Sequence, residues 1–118
     1  MENLKTFEQS REKMNEAILA SDNKIIKRLF NLDTNAFNEG SIDSKTKEMI
    51  GLACSMVLRC DDCVKYHLIK WKDAGVTEDQ IFEIFAIANV TAGTIVIPHL
   101  RRAVAFWKKI GKRKSITP

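Results

Sequence analysis

Thr77-Glu78-Asp79-Gln80, followed by Ile81, Phe82, Ile84, Phe85, Ile87 and Val90, reads as a helix that opens on a capping box and leaves little polar face. The threonine oxygen and the glutamine side chain can satisfy first-turn groups that no helix satisfies internally. A helix apolar almost all round is buried on most of its sides. Outward from this stretch the punctuation stays helical. Gly40, Gly75, Gly93 and Gly111 fall where helices should stop. Thr6-Phe7-Glu8-Gln9 matches a second capping box, and Ser21/Asp22 and Asp43/Ser44 are further N-cap candidates. Pro98 belongs to the first turn, or to a kink, of the last helix. These signals predict six helices at 7–20, 22–38, 44–59, 61–74, 78–92 and 95–110, with nothing that resembles a strand-turn-strand unit. The expected fold is an all-α, single-domain helical bundle, with an N-terminal helix over 1–21 and a core over 22–118 that ends in a short basic tail.

The first helix is amphipathic, with Phe7, Met14 and Ile18 on one face. The third, with Ile50, Leu52, Ala53, Cys54, Met56, Val57 and Leu58, is as apolar all round as the fifth. Two such helices in 118 residues point to apolar surface covered by another subunit, so a homo-oligomer is expected.

The bulk numbers narrow the function classes. The chain is 45% hydrophobic and 29% charged, with two prolines and five glycines, a globular composition rather than a disordered or fibrous one. The N-terminus is charged throughout and lacks an apolar run of signal-peptide length. No stretch approaches the roughly 18 apolar residues of a membrane span, so no membrane role is expected. The expected compartment is the cytoplasm, where a Cys-x-x-Cys pair reads as redox-active or metal-binding. The net charge of +4 comes from 19 basic and 15 acidic residues. Much of the excess lies in Arg101, Arg102, Lys108, Lys109, Lys112, Arg113 and Lys114, which suit the end of a helix and a solvated tail better than a nucleic-acid surface.

The chemistry concentrates in Leu58-Arg59-Cys60-Asp61-Asp62-Cys63-Val64-Lys65-Tyr66-His67. Two aspartates favour a helix N-terminus, so the cysteines should bracket the start of the fourth helix. Unpaired amides and the positive end of the helix dipole favour a thiolate there, while Asp61 and Asp62 oppose it by like-charge repulsion. His67, four residues after Cys63, lies on the same helix face and can take the thiol proton directly or through a water. Cys60, three residues before Cys63, permits a reversible disulfide. The set therefore offers an attacking thiol, a resolving thiol and a base.

Other readings compete. Cys60, Cys63, His67 and His99 would make a Cys₂His₂ zinc set, and a non-catalytic zinc-stabilised oligomer is one alternative. A redox carrier or protein-disulfide reductase without peroxidase activity is another. Cys54, in an apolar helix, reads as a buried small hydrophobe. Trp71 reads as core or pocket wall, and His99 as a polar residue near the site, at a helix start or at a subunit contact.

Glu48, eleven residues, then Cys60-x-x-Cys63-x-x-x-His67 resembles the motif of the alkylhydroperoxidase D branch of the carboxymuconolactone decarboxylase family. Gly93 to Ala103 resembles the last helix of its small members, and the likeness covers residues 22–110. The resemblance implies an all-α fold in homo-oligomers, commonly trimers or hexamers, and a cofactor-free thiol peroxidase cycle. In that cycle Cys63 attacks the hydroperoxide, Cys60 resolves the sulfenic acid, and Glu48 and His67 form the proton relay. A lipoyl or thioredoxin-like dithiol restores the pair. Decarboxylase members lack the two cysteines. The best-known peroxidase members carry a histidine directly before the second cysteine, where this chain has Asp62. By helical rise alone, Glu48 lies about 16 Å from the turn and His67 about 8 Å. A steep crossing, a water or a neighbouring subunit would then have to close the gap.

Overall fold

The computed structural model describes residues 4–116, and side chains from 5 to 110. It is all-α. In chain order the helices are α1 (Leu4–Ala20), α2 (Lys24–Ala36), α3 (Ser44–Val57), α4 (Asp61–Ala74), α5 (Glu78–Ala92) and α6 (Ile97–Ile116), with a short 3₁₀ turn at Thr94–Val96. No strand occurs among the described residues, and no helix there is long and apolar enough to cross a membrane.

Local chemistry explains most boundaries. Asp43 caps α3 by accepting from the Thr46 amide at 2.7 Å, a bond that holds its carboxyl below the usual carboxylate range. Thr77 and Gln80 exchange both bonds of the capping box that opens α5. Gly75 (φ 77°) closes α4 and Gly93 (φ 89°) closes α5, both at φ values that side chains disfavour. Pro98 is the second residue of α6, where its missing N–H costs no helical bond.

Three expected boundary signals fall elsewhere. Helix α1 starts at Leu4, so Thr6–Gln9 lies inside it. Asn23, not Ser21 or Asp22, caps α2, its Oδ1 accepting from the amides of Ile25 and Ile26. Asp22 instead takes a left-handed backbone (φ 61°) in the turn and pairs with Lys27. Gly111 does not stop α6, which runs on to Ile116. One glycine costs an interior turn only about 1 kcal/mol.

The core lies between α3, α4, α5 and α6. Helices α3 and α4 pack on each other as a hairpin, α3 also packs on α5, and α4 on α6. Leu52, Met56, Val64, Leu68, Trp71, Ile81, Phe85 and Ile110 are closed off from solvent, which makes Trp71 a core residue. Phe7 anchors α1 edge-on against Phe106 at 5.7 Å. Met14 and Ile18, expected beside it, lie exposed. Helix α2 buries no residue fully. Helices α3 and α5 each bury one face and leave Ile50, Phe82, Ile87 and Val90 open, with Leu58 just past α3, so within one chain they are half covered rather than enclosed.

Leu68 sits on the buried face of α4 with no exposed surface. Leu68→Ala is expected to cost about 3 kcal/mol, from lost transfer energy and the cavity left behind. Urea titrations of both proteins at one concentration measure it, and a cost below 1 kcal/mol would mean that α4 does not hold the core.

Candidate active site

Cys60 and Cys63 stand on the turn between α3 and α4. Helix α3 ends on a Schellman pair, with the Arg59 N–H donating to Met56 O and the Cys60 N–H to Ser55 O, both at 3.0 Å. The left-handed position of that motif falls to Arg59 (φ 59°). Cys60 follows at once as the N-cap of α4, its Sγ accepting from the Cys63 amide at 3.3 Å. The cysteines bracket the helix start as expected. They are joined as a disulfide with Cα atoms 5.3 Å apart, and both are half-buried.

His67 follows Cys63 by four residues, one turn along the same face. Its Nδ1–H donates to Glu48 Oε1 at 2.8 Å, with the imidazole side chain 8% and the glutamate 13% exposed. A carboxylate this enclosed is tolerated because it is paired. With Nδ1 committed to Glu48, Nε2 is the nitrogen left with a lone pair.

The gap expected between Glu48 and His67 is closed, for two reasons. Helix α3 ends at Val57 rather than running through residue 59, so Leu58 and Arg59 add no helical rise. His67 then lies about 9 Å into α4 and Gly51 about 9 Å back from the end of α3, which sets them level, with Glu48 only about 4.5 Å beyond. The second reason is Gly51 itself. A Cβ on it would lie 2.7 Å from His67 Cε1, 2.9 Å from Nε2 and 2.9 Å from Phe37 Cε1. The imidazole occupies the space that a side chain on α3 would fill. A glycine inside a helix, one turn after the glutamate, is the signal in the sequence that could have revealed this.

The Glu48 carboxylate borders a cleft of about 180 Å³ lined also by Phe37, Ser44, Tyr66 and Lys70. Phe37 and Tyr66 flank the imidazole at ring distances of 5.3 and 5.4 Å.

The two acids beside the cysteines are both countered. Asp61 accepts from His99 Nδ1–H at 2.8 Å and from Arg102 Nε–H at 2.7 Å. Partial burial pushes its carboxyl up, but the hydrogen bonds from His99 and Arg102 and the guanidinium charge outweigh this and hold it below its ordinary value. Asp62 lies 3.8 Å from the Arg11 guanidinium, which also covers the Tyr66 ring at 4.3 Å. The i, i+3 spacing of His99 and Arg102 on one helix was the available clue to the first of these clusters.

The zinc quartet is not gathered: His67 turns to Glu48 and His99 to Asp61. Among the described residues no group of three or more His, Cys, Asp or Glu converges as a metal would need. Cys54, expected to be buried, is exposed, on an open apolar cleft that it lines with Ala53 and Val57 of α3 and Ile87 and Ala88 of α5.

Gly51→Ala is expected to push the His67 ring off Glu48. In ¹⁵N NMR the Nδ1–H tautomer should dominate in the parent protein and be lost in the variant. Unchanged imidazole shifts would remove Gly51 from the site.

The comparisons with known proteins agree with this architecture. A crystal structure of TM1620 from Thermotoga maritima matches with a TM-score of 0.91 at 45% identity, covering 94% of this chain and 97% of that one. A second structure of TM1620, a carboxymuconolactone decarboxylase family protein with an antioxidative response as a possible role, matches at 0.88 with 44% identity and 92% coverage of each chain. The alkyl hydroperoxide reductase AhpD of Corynebacterium kroppenstedtii is 36% identical over 62 residues, which are 52% of this chain and 36% of that longer relative. The family model for carboxymuconolactone decarboxylases matches residues 24–106. The chain belongs to the carboxymuconolactone decarboxylase family.

Proposed function

We propose that the chain is a thiol-dependent hydroperoxide reductase that cycles Cys60 and Cys63 between dithiol and disulfide. The observation that carries this reading is the enclosed Glu48–His67 hydrogen bond, one turn along α4 from a cysteine whose neighbour is within disulfide reach. The likeness to the Corynebacterium AhpD and to the Thermotoga protein supports it.

In the proposed cycle His67 Nε2 takes the Cys63 proton, and Glu48 stabilises the imidazolium through Nδ1–H. The Cys63 thiolate attacks the outer oxygen of the hydroperoxide. The O–O bond breaks, and the alkoxide leaves as alcohol with the proton held on His67. Cys60 then attacks the Cys63 sulfenic acid, water leaves and the disulfide closes. An external dithiol of lipoyl or thioredoxin-like type returns two electrons and two protons. No cofactor enters these steps.

A disulfide reductase is the second reading, favoured by Asp62, an acid beside Cys63 that opposes thiolate formation and that the 3.8 Å contact with Arg11 offsets only in part. The test is thiol loss from the reduced chain on adding an organic hydroperoxide. Two thiols per chain should disappear. Cys60→Ser should stop at one sulfenic acid, Cys63→Ser should not react, and His67→Ala should slow the first step about 100-fold. Exchanged behaviour of the two cysteine variants would reverse their roles. Indifference to peroxide with rapid exchange against a small disulfide would favour the reductase.

We also propose that further copies of the chain cover the exposed apolar surface, as a trimer or hexamer. Ile25, Leu29 and Leu32 form a stripe on α2, and Ile87, Val90 and Leu58 lie open on α5 and at the end of α3. Burying such side chains is worth roughly 1.5–3 kcal/mol each. Light scattering should give a trimeric or hexameric mass, reduced by Val90→Glu. A monomer at micromolar concentration would exclude it.

A further inference from the structure

Helix α4 faces a conflict at its first turn. Asp61 and Asp62 suit its N-terminus, because negative charge there offsets the helix dipole. The same acids flank sulfur atoms that must carry negative charge when reduced and ionised. Asp61 is bonded to Cys60 through one peptide, and it cannot be placed far from that sulfur by any rotamer.

The last helix answers the conflict. His99 and Arg102, one turn apart on α6, reach across to α4 and each take one oxygen of the Asp61 carboxylate, at 2.8 and 2.7 Å. His99 is mostly enclosed, with 19% of its side chain exposed. Because its Nδ1–H points at Asp61, the Arg102 terminal nitrogen 3.1 Å from the same Nδ1 is a packing contact and not a second bond. The guanidinium lies beside both the ring and the carboxylate and carries a permanent charge there. His99 fixes the second oxygen.

We propose that the Asp61–His99–Arg102 cluster sets the reduction potential of the Cys60–Cys63 pair by cancelling the carboxylate charge beside it. His99 and Arg102 are positioning residues that act through Asp61. The inference rests on the redox reading of the two cysteines. Two electrons and two protons convert the disulfide into two thiols, and in the proposed cycle one of them ionises. Whatever stabilises that thiolate stabilises the reduced state and raises the potential. With Arg102 present Asp61 acts as part of a neutral pair. Without it, Asp61 becomes a bare charge that disfavours the reduced state.

The sign of the effect separates this from simple bracing of α4 against α6. Arg102→Gln and Asp61→Asn break the same contact, so a bracing role would shift the pair in one direction for both. The electrostatic role requires opposite directions. The measurement is the redox equilibrium of the full-length chain against glutathione buffers at pH 7, with the thiol ionisation followed by alkylation rate. Arg102→Gln should favour the disulfide by three- to tenfold in the equilibrium constant, tenfold being about 30 mV. Asp61→Asn should favour the dithiol, adding Asp61→Asn to Arg102→Gln should cancel most of its shift, and Arg102→Lys should restore most of the parent value. Shifts of one sign, or none, would overturn the inference while leaving the redox reading intact. A parent disulfide that neither glutathione nor dithiothreitol reduces would overturn both.

Discussion

A carboxylate and an imidazole meet at 2.8 Å between α3 and α4, and the geometry of the hairpin is arranged around that meeting. Two helices this close leave space for one ring only if the facing helix gives up a side chain, and Gly51 is where it does so. The turn must also be short enough to bring His67 level with Gly51. The Schellman ending, with Arg59 rather than glycine in the left-handed conformation, sets that length. The helix stop, the missing Cβ and the glutamate one turn away make up a single constraint. The core side chains of Leu52, Met56, Val64 and Leu68 hold the two helices to it.

The same turn gathers charge. Cys60 as N-cap, two aspartates in the first turn and the helix dipole place donors and acceptors within a few residues of the sulfurs. The chain then brings in compensating groups from distant positions, Arg11 from α1 and the His99/Arg102 pair from α6. The exposed Arg11–Asp62 contact contributes little to stability. The Asp61 cluster is more enclosed and more fully bonded. The first and last described helices thus both reach the chemistry, although neither contributes a sulfur.

The helical class, the Cys60/Cys63 bracket on α4 and most of the helix boundaries could be read from the residues, because caps and stops are local. Thr77 with Gln80, Gly75 and Gly93 act through bonds spanning a few residues, and such bonds do not depend on the rest of the fold. The Glu48–His67 bond could be expected only through family resemblance, since helical rise counted through Leu58 and Arg59 put the groups too far apart. Where α3 stops is decided by a left-handed arginine that propensity does not foresee. The role of His99 was legible only as a place near the site, because its partner, Asp61, lies 38 positions away. The exposure of Cys54 was not legible for a related reason. Composition shows that a helix is apolar, but not whether its own chain or something else covers it.

Helix α2 is the least committed part of the molecule: it buries no side chain fully and is held to the rest chiefly through α1. Yet Asp33 and Thr34, with Phe37 just past its end, form one wall of the cleft that opens on Glu48. Local opening of a segment costs only the contacts that the segment itself makes. Asp33 and Thr34 stand on the part of that wall farthest from Leu68 and Trp71, whereas Phe37, beside the His67 ring and bonded through its carbonyl to Ser44, ties the end of the wall to the hairpin. Access to the buried proton pair and the stability of the fold are set by different parts of the chain.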